Sequence, residues 1–214
     1  KSNVDLLAPF LVNLLDMSLS IGAVPDVFKA ADITPLLKKE GADPTDVKFY
    51  RPLPNLSVLS KLLERLVAKQ LLDYLTSFRL LPDLQSAYRA FHSTETAVLK
   101  VLSDILLAVD SGDLAMLALL DLSAAFDTVD HTILLRRLQQ SYGLGGSTLL
   151  WFRSYLQERT QFVRCGSASR SAPTRVRYGV PQGSVLGPIL FVLYAAGLLQ
   201  LVMEHGLSPH AYAD

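Results

Sequence analysis

Apolar residues recur along this 214-residue chain at two spacings, and the switches between them mark its elements. The opening run LLAPFLVNLLDMSLSIG sets Leu7, Phe10, Leu11 and Leu14 on one helical face. With Asp5 before it and Asp16 inside it, the run reads as an amphipathic helix rather than a signal peptide. Residues 31–55 mix short extended pieces with Gly41, Pro44, Pro52 and Pro54, which predicts two short strands joined by a polar loop. Leucines then return at helical spacing from Leu59 to Leu75, behind Ser57 as N-cap. A further helix is expected from about Ser93 to Val109, with Glu95 in its first turn.

The octet AMLALLDL, Ala115 to Leu122, reads on its length as a buried strand, although alanine and leucine are weak strand formers. Asp130 caps the next helix, which turns Ile133, Leu134 and Leu138 inward and stops at Gly143. A helix around TLLWFRSYLQ, a strand pair within residues 161–179 and a helix from Ser184 to about Met203 complete the pattern. Helices mixed with hairpins, without regular βαβ alternation, predict an α+β fold.

Half of the residues are apolar, enough for one large domain or two small ones. The single Cys165 allows no internal disulfide, and no Cys/His spacing suggests zinc, so a reducing compartment is expected. The charge-free run between Arg177 and Glu204 is long enough to cross a bilayer. Gln182, Ser184, Pro188, Gln200 and four glycines within it point instead to a buried loop and core helix, so no membrane partner is expected.

Twenty basic and twenty acidic side chains cancel in total but not in position. Between Val101 and Leu135 the charged residues are Asp104, Asp110, Asp113, Asp121, Asp127 and Asp130, with no Lys or Arg. From Arg136 to Arg177 eight arginines face Glu158 alone. Such blocks suit a cation site beside a polyanion grip, and equally two solvated faces of unlike charge. The interleaved Tyr142, Trp151, Phe152, Tyr155 and Phe162 would offer stacking surfaces for nucleic acid.

Asp121 ends the predicted buried strand, where a carboxylate needs a cation or hydrogen-bond donors, or serves as a helix cap. Asp127 and Asp130 stand at a predicted helix start and read as cap or surface residues. Asp214, behind the apolar lead-in AYA, repeats the arrangement of Asp121. Two acids ending neighbouring strands could hold hard cations such as Mg²⁺, which takes carboxylate oxygens and substrate phosphates. In YGVPQGSVLGPILF, Tyr178 to Phe191, three glycines and two prolines enclose Gln182 and Ser184 ahead of an apolar helix. That makes either a rigid turn open to a flat ligand or only a tight connection.

Five blocks taken together resemble the reverse transcriptases of non-LTR retrotransposons, the long interspersed elements of animal genomes. They are FYRPLPNLSVLSKLLERLV (49–67), QSAYRAFHSTETAVLKVLSDI (85–105), LLDLSAAFDTVDHTILLRRL (119–138), GVPQGSVLGPILF (179–191) and the terminal YAD. Their order and spacing follow that family from about residue 20 onward. The resemblance implies a right-hand polymerase fold: an N-terminal helix and fingers over 1–112, then a ferredoxin-like palm over 113–214 with a fingers segment inserted at about 140–178. It further implies that the chain stops inside the third metal motif, with the palm truncated and the thumb absent.

The activity implied is RNA-directed DNA synthesis, with two Mg²⁺ ions assisting attack of a primer 3′-hydroxyl on an incoming nucleotide. An RNA template, a DNA primer and deoxynucleoside triphosphates are the partners, in an intracellular setting such as the nucleus. Carried onto this sequence, Asp121 and Asp214 match the metal-binding catalytic aspartates. Phe126 matches the aromatic under the sugar that excludes a 2′-hydroxyl. Arg51 matches the triphosphate-binding arginine, Lys38 or Lys39 the neighbouring phosphate-binding lysine, and Gln182 and Gly183 the motif bordering nucleotide and template.

Family members commonly carry Ser where Pro54 stands, Gly at Ala87, Lys-Gly at Ala90 and Phe91, and an Asn-Asp pair near Ala196 and Gly197. These departures keep open a second reading, a degenerate non-catalytic remnant that binds nucleic acid. On either reading, a chain ending at the first Asp of its third motif is not expected to polymerise by itself.

Overall fold

The computed structural model describes residues 3–122, 124–165 and 169–212. Among these residues are six helices: α1 (Asn3–Ile21), α2 (Val58–Ser77), α3 (Thr94–Asp110), α4 (His131–Gln140), α5 (Gly146–Leu156) and α6 (Leu186–Glu204). The strands are β1 (Ala30–Leu37), β2 (Tyr50–Asn55), β3 (Thr160–Cys165), β4 (Ser169–Arg170) and β5 (Thr174–Arg175). The mixed α and β composition agrees with the sequence.

Three helices start where their capping residues predict. Ser57 accepts from the Ser60 amide, Asp130 from the Ile133 amide, and Ser93 and Thr96 satisfy each other's backbone N–H groups. The two strands expected within residues 31–55 form an antiparallel pair running from Asp32 opposite Asn55 to Leu37 opposite Tyr50. β1 also pairs in parallel with β3, Ala30 with Thr160 through Ile33 with Val163, and the short β4 and β5 share the far side of β3. Asp32 binds this sheet together by accepting from Arg164 and Arg170, each at 2.8 Å.

The core gathers around α5. Trp151, Phe152, Tyr155 and Leu156 are buried there, with the Trp151 ring stacked on Tyr155 at 5.5 Å and edge-on to Phe152 at 5.4 Å. The Trp151 N–H donates to the Ser18 hydroxyl of α1 at 3.0 Å, so even the polar tip of the indole is satisfied. Leu63, Val67, Leu71 and Leu75 of α2 and Leu186, Leu190 and Leu193 of α6 close the cluster. α6 is therefore a core helix in its first half, as expected, although α1 and α6 are each long and apolar enough to cross a membrane by those criteria alone.

Three expectations fail, each for want of a packing partner. Leu7 and Phe10 of α1 are exposed, and the face that packs is formed by Leu14, Leu15, Ser18 and Leu19, because α5 meets only the second half of α1. On α4, Leu135 points inward with Leu134 and Leu138, while Ile133 is 42% exposed. The largest difference concerns residues 113–122, which are not a strand. Leu114, Met116, Leu119 and Leu120 are exposed, since an extended segment becomes a strand only when a neighbour completes its ladder, and no described residue does so. α3 is similarly bare and buries only Ala97.

Phe91 has a left-handed backbone, φ +64°, and a fully exposed ring. Here the resembled family carries glycine, which takes that conformation without a Cβ clash. Phe91→Gly is expected to raise stability by about 0.5–1 kcal/mol in urea denaturation, the strain relieved outweighing the entropy added to the unfolded chain. Burial pushes the Tyr142 hydroxyl up from its ordinary value near 10 to about 12, with Arg137 opposing. The folded state thus holds this proton more tightly, so its stabilising effect is complete below pH 10 and lost as pH rises towards 12. Tyr142→Phe should flatten that alkaline loss in stability measured against pH.

Candidate nucleotide and metal site

A 3-10 turn, Ala125–Asp127, is entered through Ala124 in the left-handed conformation at φ +52°. The Ala124 carbonyl accepts from the amides of Asp127 at 2.9 Å and Thr128 at 3.2 Å, which closes the turn. This holds Phe126 with its ring against Phe191, centroids 5.1 Å apart. The glycine-rich loop then docks on the turn's backbone. The Gly179 amide donates to the Val129 carbonyl at 2.7 Å and the Val180 amide to the Phe126 carbonyl at 2.8 Å. His131 Nε2 lies 2.7 Å from the Gly179 carbonyl, a contact that needs the proton on Nε2.

Gly179 is required by this approach. Its φ is +87°, and a Cβ would stand 2.8 Å from the Phe126 carbonyl oxygen and 2.9 Å from the Asp127 Cα. The Gln182 amide donates to both carboxylate oxygens of Asp127, at 2.9 and 3.0 Å. Asp127 is an exposed surface residue, as expected, and it also holds the Gln182 side chain. A Cβ at Gly183 would sit 3.5 Å from the Pro54 carbonyl, so the loop also reaches the end of β2.

The structure brings Phe126, Gln182 and Gly183 together beside β2. Arg51 lies three residues back along that strand, about 10 Å at 3.3 Å per residue, and is exposed. Lys38 closes the β1–β2 hairpin, its amide donating to the Phe49 carbonyl and its ammonium to the Lys48 carbonyl, both at 2.7 Å. Lys39 is exposed nearby.

The acids behave differently. Asp121 is exposed and pairs with no described side chain. Asp214 lies outside the described residues, and among those described no three His, Cys, Asp or Glu side chains cluster as a metal site. Nor, among the described residues, do the two lead-ins form neighbouring strands as expected. The segment before Asp214 makes a single parallel bridge, Ala211 with Gln85, while residues 113–122 pair with nothing described.

The arginine-rich segment is also less open than its sequence suggests. Tyr142, Trp151, Phe152 and Tyr155 are buried and present no stacking surface, and Phe162 is covered by the Arg170 guanidinium at 3.6 Å. Arg159 is buried, donating to the Tyr155 carbonyl at 3.0 Å, and burial pulls its pKa down. Exposed arginines without a described acidic partner are Arg136, Arg153, Arg175 and Arg177.

One residue of the site escaped the sequence reading altogether. Glu64 of α2 is 1% exposed, and its carboxylate accepts from the backbone of the same loop at Val185, 2.7 Å, and Leu186, 3.3 Å. Its signal was present: Ser60, Leu63, Glu64, Val67, Ala68 and Leu71 form the buried stripe of α2, so Glu64 is an acid at an inward position.

The described residues thus form a mixed α and β fold in which a glutamine turn docks beside a β hairpin, and comparison with known proteins fixes the family. The profile described as "Reverse transcriptase (RNA-dependent DNA polymerase)" matches residues 37–214. The chain belongs to this reverse transcriptase family. It is 36% identical over 210 residues to the "Probable RNA-directed DNA polymerase from transposon BS" of Drosophila melanogaster, across 96% of this chain and 23% of that protein. It is 34% identical over 210 residues to the "RNA-directed DNA polymerase from mobile element jockey" of the same organism, across 96% and 22%. The chain therefore spans about a quarter of the length of these relatives. In fold it is similar to apo telomerase from Candida tropicalis, with a TM-score of 0.53 and 14% identity over 86% of this chain and 41% of that one. These similarities do not favour the reading as a degenerate remnant.

Because the space at Gly179 is filled by backbone, Gly179→Ala is expected to destabilise the chain by about 2–4 kcal/mol, the left-handed cost plus that of overpacking. Urea denaturation followed by the fluorescence of Trp151, the single tryptophan, measures this directly.

Proposed function

We propose that this chain is the polymerase region of a non-LTR retrotransposon and takes part in RNA-directed DNA synthesis, extending a DNA primer on an RNA template with deoxynucleoside triphosphates. The single observation that carries the reading is the glutamine turn pinned to the Phe126 turn beside β2. Residues 1–112 would be the N-terminal helix and fingers, and 113–214 a ferredoxin-like palm with a fingers insertion at about 140–178. In this arrangement Phe126 lies under the nucleotide sugar, where a bulky ring excludes a 2′-hydroxyl. Gln182 and Gly183 form the wall beside nucleotide and template. Arg51 presents a planar donor fork to the triphosphate, and Lys38 adds charge at the same end of the hairpin.

Asp121 and Asp214 would hold the divalent cations, Mg²⁺ being the one that carboxylate oxygens and phosphates suit best. The fit rests on donor chemistry: Asp121 is an exposed carboxylate with no described counter-charge. Bound there, the cations would neutralise charge developing on the transferring phosphoryl group. The exposed Arg136, Arg153, Arg175 and Arg177 supply salt-sensitive contacts to the nucleic-acid backbone.

Primer extension on a homopolymer RNA template with Mg²⁺, using a polypeptide that carries this region within its parent reading frame, tests the reading. Asp121→Ala is expected to lower extension by at least about a hundredfold, the scale set by misplacing reacting groups by about an ångström. Extension indifferent to Asp121→Ala or to chelation of Mg²⁺ would overturn it.

A further inference from the structure

We infer that Glu64 is a positioning residue: its buried carboxylate anchors the start of α6 and thereby fixes the Gln182 turn against Phe126. The inference rests on the reading of that turn as the nucleotide wall. α6 begins without a side-chain cap at Val185. The four leading amides of a helix have no partner within it, and in a core that excludes water they must find one elsewhere. Ser184 Oγ accepts from the Gly187 amide at 2.9 Å. The amides of Val185 and Leu186 turn to Glu64, which arrives from another helix 121 positions away.

Every partner of that carboxylate is a donor. One oxygen receives both amides and the Tyr155 hydroxyl, the latter at 3.2 Å, and the other receives the Ser60 hydroxyl at 3.2 Å. The nearby Arg159 does not pair with it, since its guanidinium faces the Tyr155 ring at 5.1 Å and donates to main-chain carbonyls. A buried negative group is thus balanced by oriented donors and by the positive end of a helix. Burial, then the charge of Glu64, raises the Tyr155 pKa.

The loop from Gly179 to Leu186 consequently has two fastenings. The upstream end is tied to Val129 and Phe126, the downstream end to Glu64, and Gln182 lies between them. Its own link to Asp127 is solvent-exposed and cannot fix the turn unaided. Removing Glu64 frees the downstream end and lets Gln182 drift from the 125–127 turn.

Amide hydrogen exchange at Val185 and Leu186, read by NMR in the 214-residue chain, tests this through Glu64→Gln, Glu64→Leu and Leu63→Ala, the last controlling for general loss of stability. Exchange at these two amides should accelerate roughly tenfold or more in Glu64→Leu beyond the change in Leu63→Ala, with Glu64→Gln intermediate because a neutral acceptor binds about half as strongly. Acceleration that is uniform along the chain, or equal in the Glu64 variants and Leu63→Ala, overturns the inference. Should Glu64→Leu not fold, selective acceleration in Glu64→Gln supports it and uniform acceleration overturns it. Titration with dTTP and Mg²⁺ separates the two levels: Glu64→Gln should weaken binding several-fold while Leu63→Ala leaves it unchanged. Graded exchange in a chain that binds no dTTP would leave the anchor standing and overturn the nucleotide reading.

Discussion

The first amides of α6 point into the protein interior, and the packing of α2 and α5 around them supplies an acceptor. Glu64 does so only if α2 lies alongside α6, if Tyr155 of α5 presents its hydroxyl to the same oxygen, and if Ser60 occupies the other. Three helices far apart in sequence are thereby held in one register by one carboxylate. Apolar packing brings these helices near each other but tolerates sliding, whereas oriented donors around a buried charge do not. The loop inherits its geometry from this requirement.

Local signals in the sequence were the ones that could be read. Ser57, Ser93 and Asp130 cap helices because their side chains act within three residues, and the β1–β2 hairpin is similarly self-contained. Nonlocal facts were hidden. Residues 115–122 have the length and apolarity of a buried strand, but strandhood is a property of a ladder and not of a segment. The aromatics among the arginines look alike on paper, and only packing sends Trp151 and Tyr155 inward. Glu64 looks like one more charge on a helix, and only its position on the apolar stripe marks it. Of the candidate site, the grouping of Phe126, Gln182 and Gly183 was legible through family resemblance, while the role of Asp127 as their clamp was not.

Departures from the resembled family acquire physical content in the fold. Phe91 keeps a backbone conformation suited to the glycine that the resembled family commonly carries there. At Gly197, near which the resembled family commonly carries an Asn-Asp pair, the Arg137 guanidinium lies directly against the backbone and over the Tyr194 ring, 5.9 Å from its centroid. A cation that would meet an acid has settled on an aromatic face instead. Both changes sit on the surface or at the edge of the core, which is why the fold absorbs them.

The parallel pairing of β1 with β3 has a consequence in time. Asp32 and its partner Arg164 are 132 positions apart. At the usual pace of synthesis, about 5–20 residues per second, one edge of β1 waits on the order of ten seconds for its neighbour to be made. During that interval β2 protects the other edge, but the open one is a template for pairing with any extended chain nearby. The order of synthesis thus makes the sheet, rather than the helical core, the part of this protein most exposed to misassembly on the ribosome.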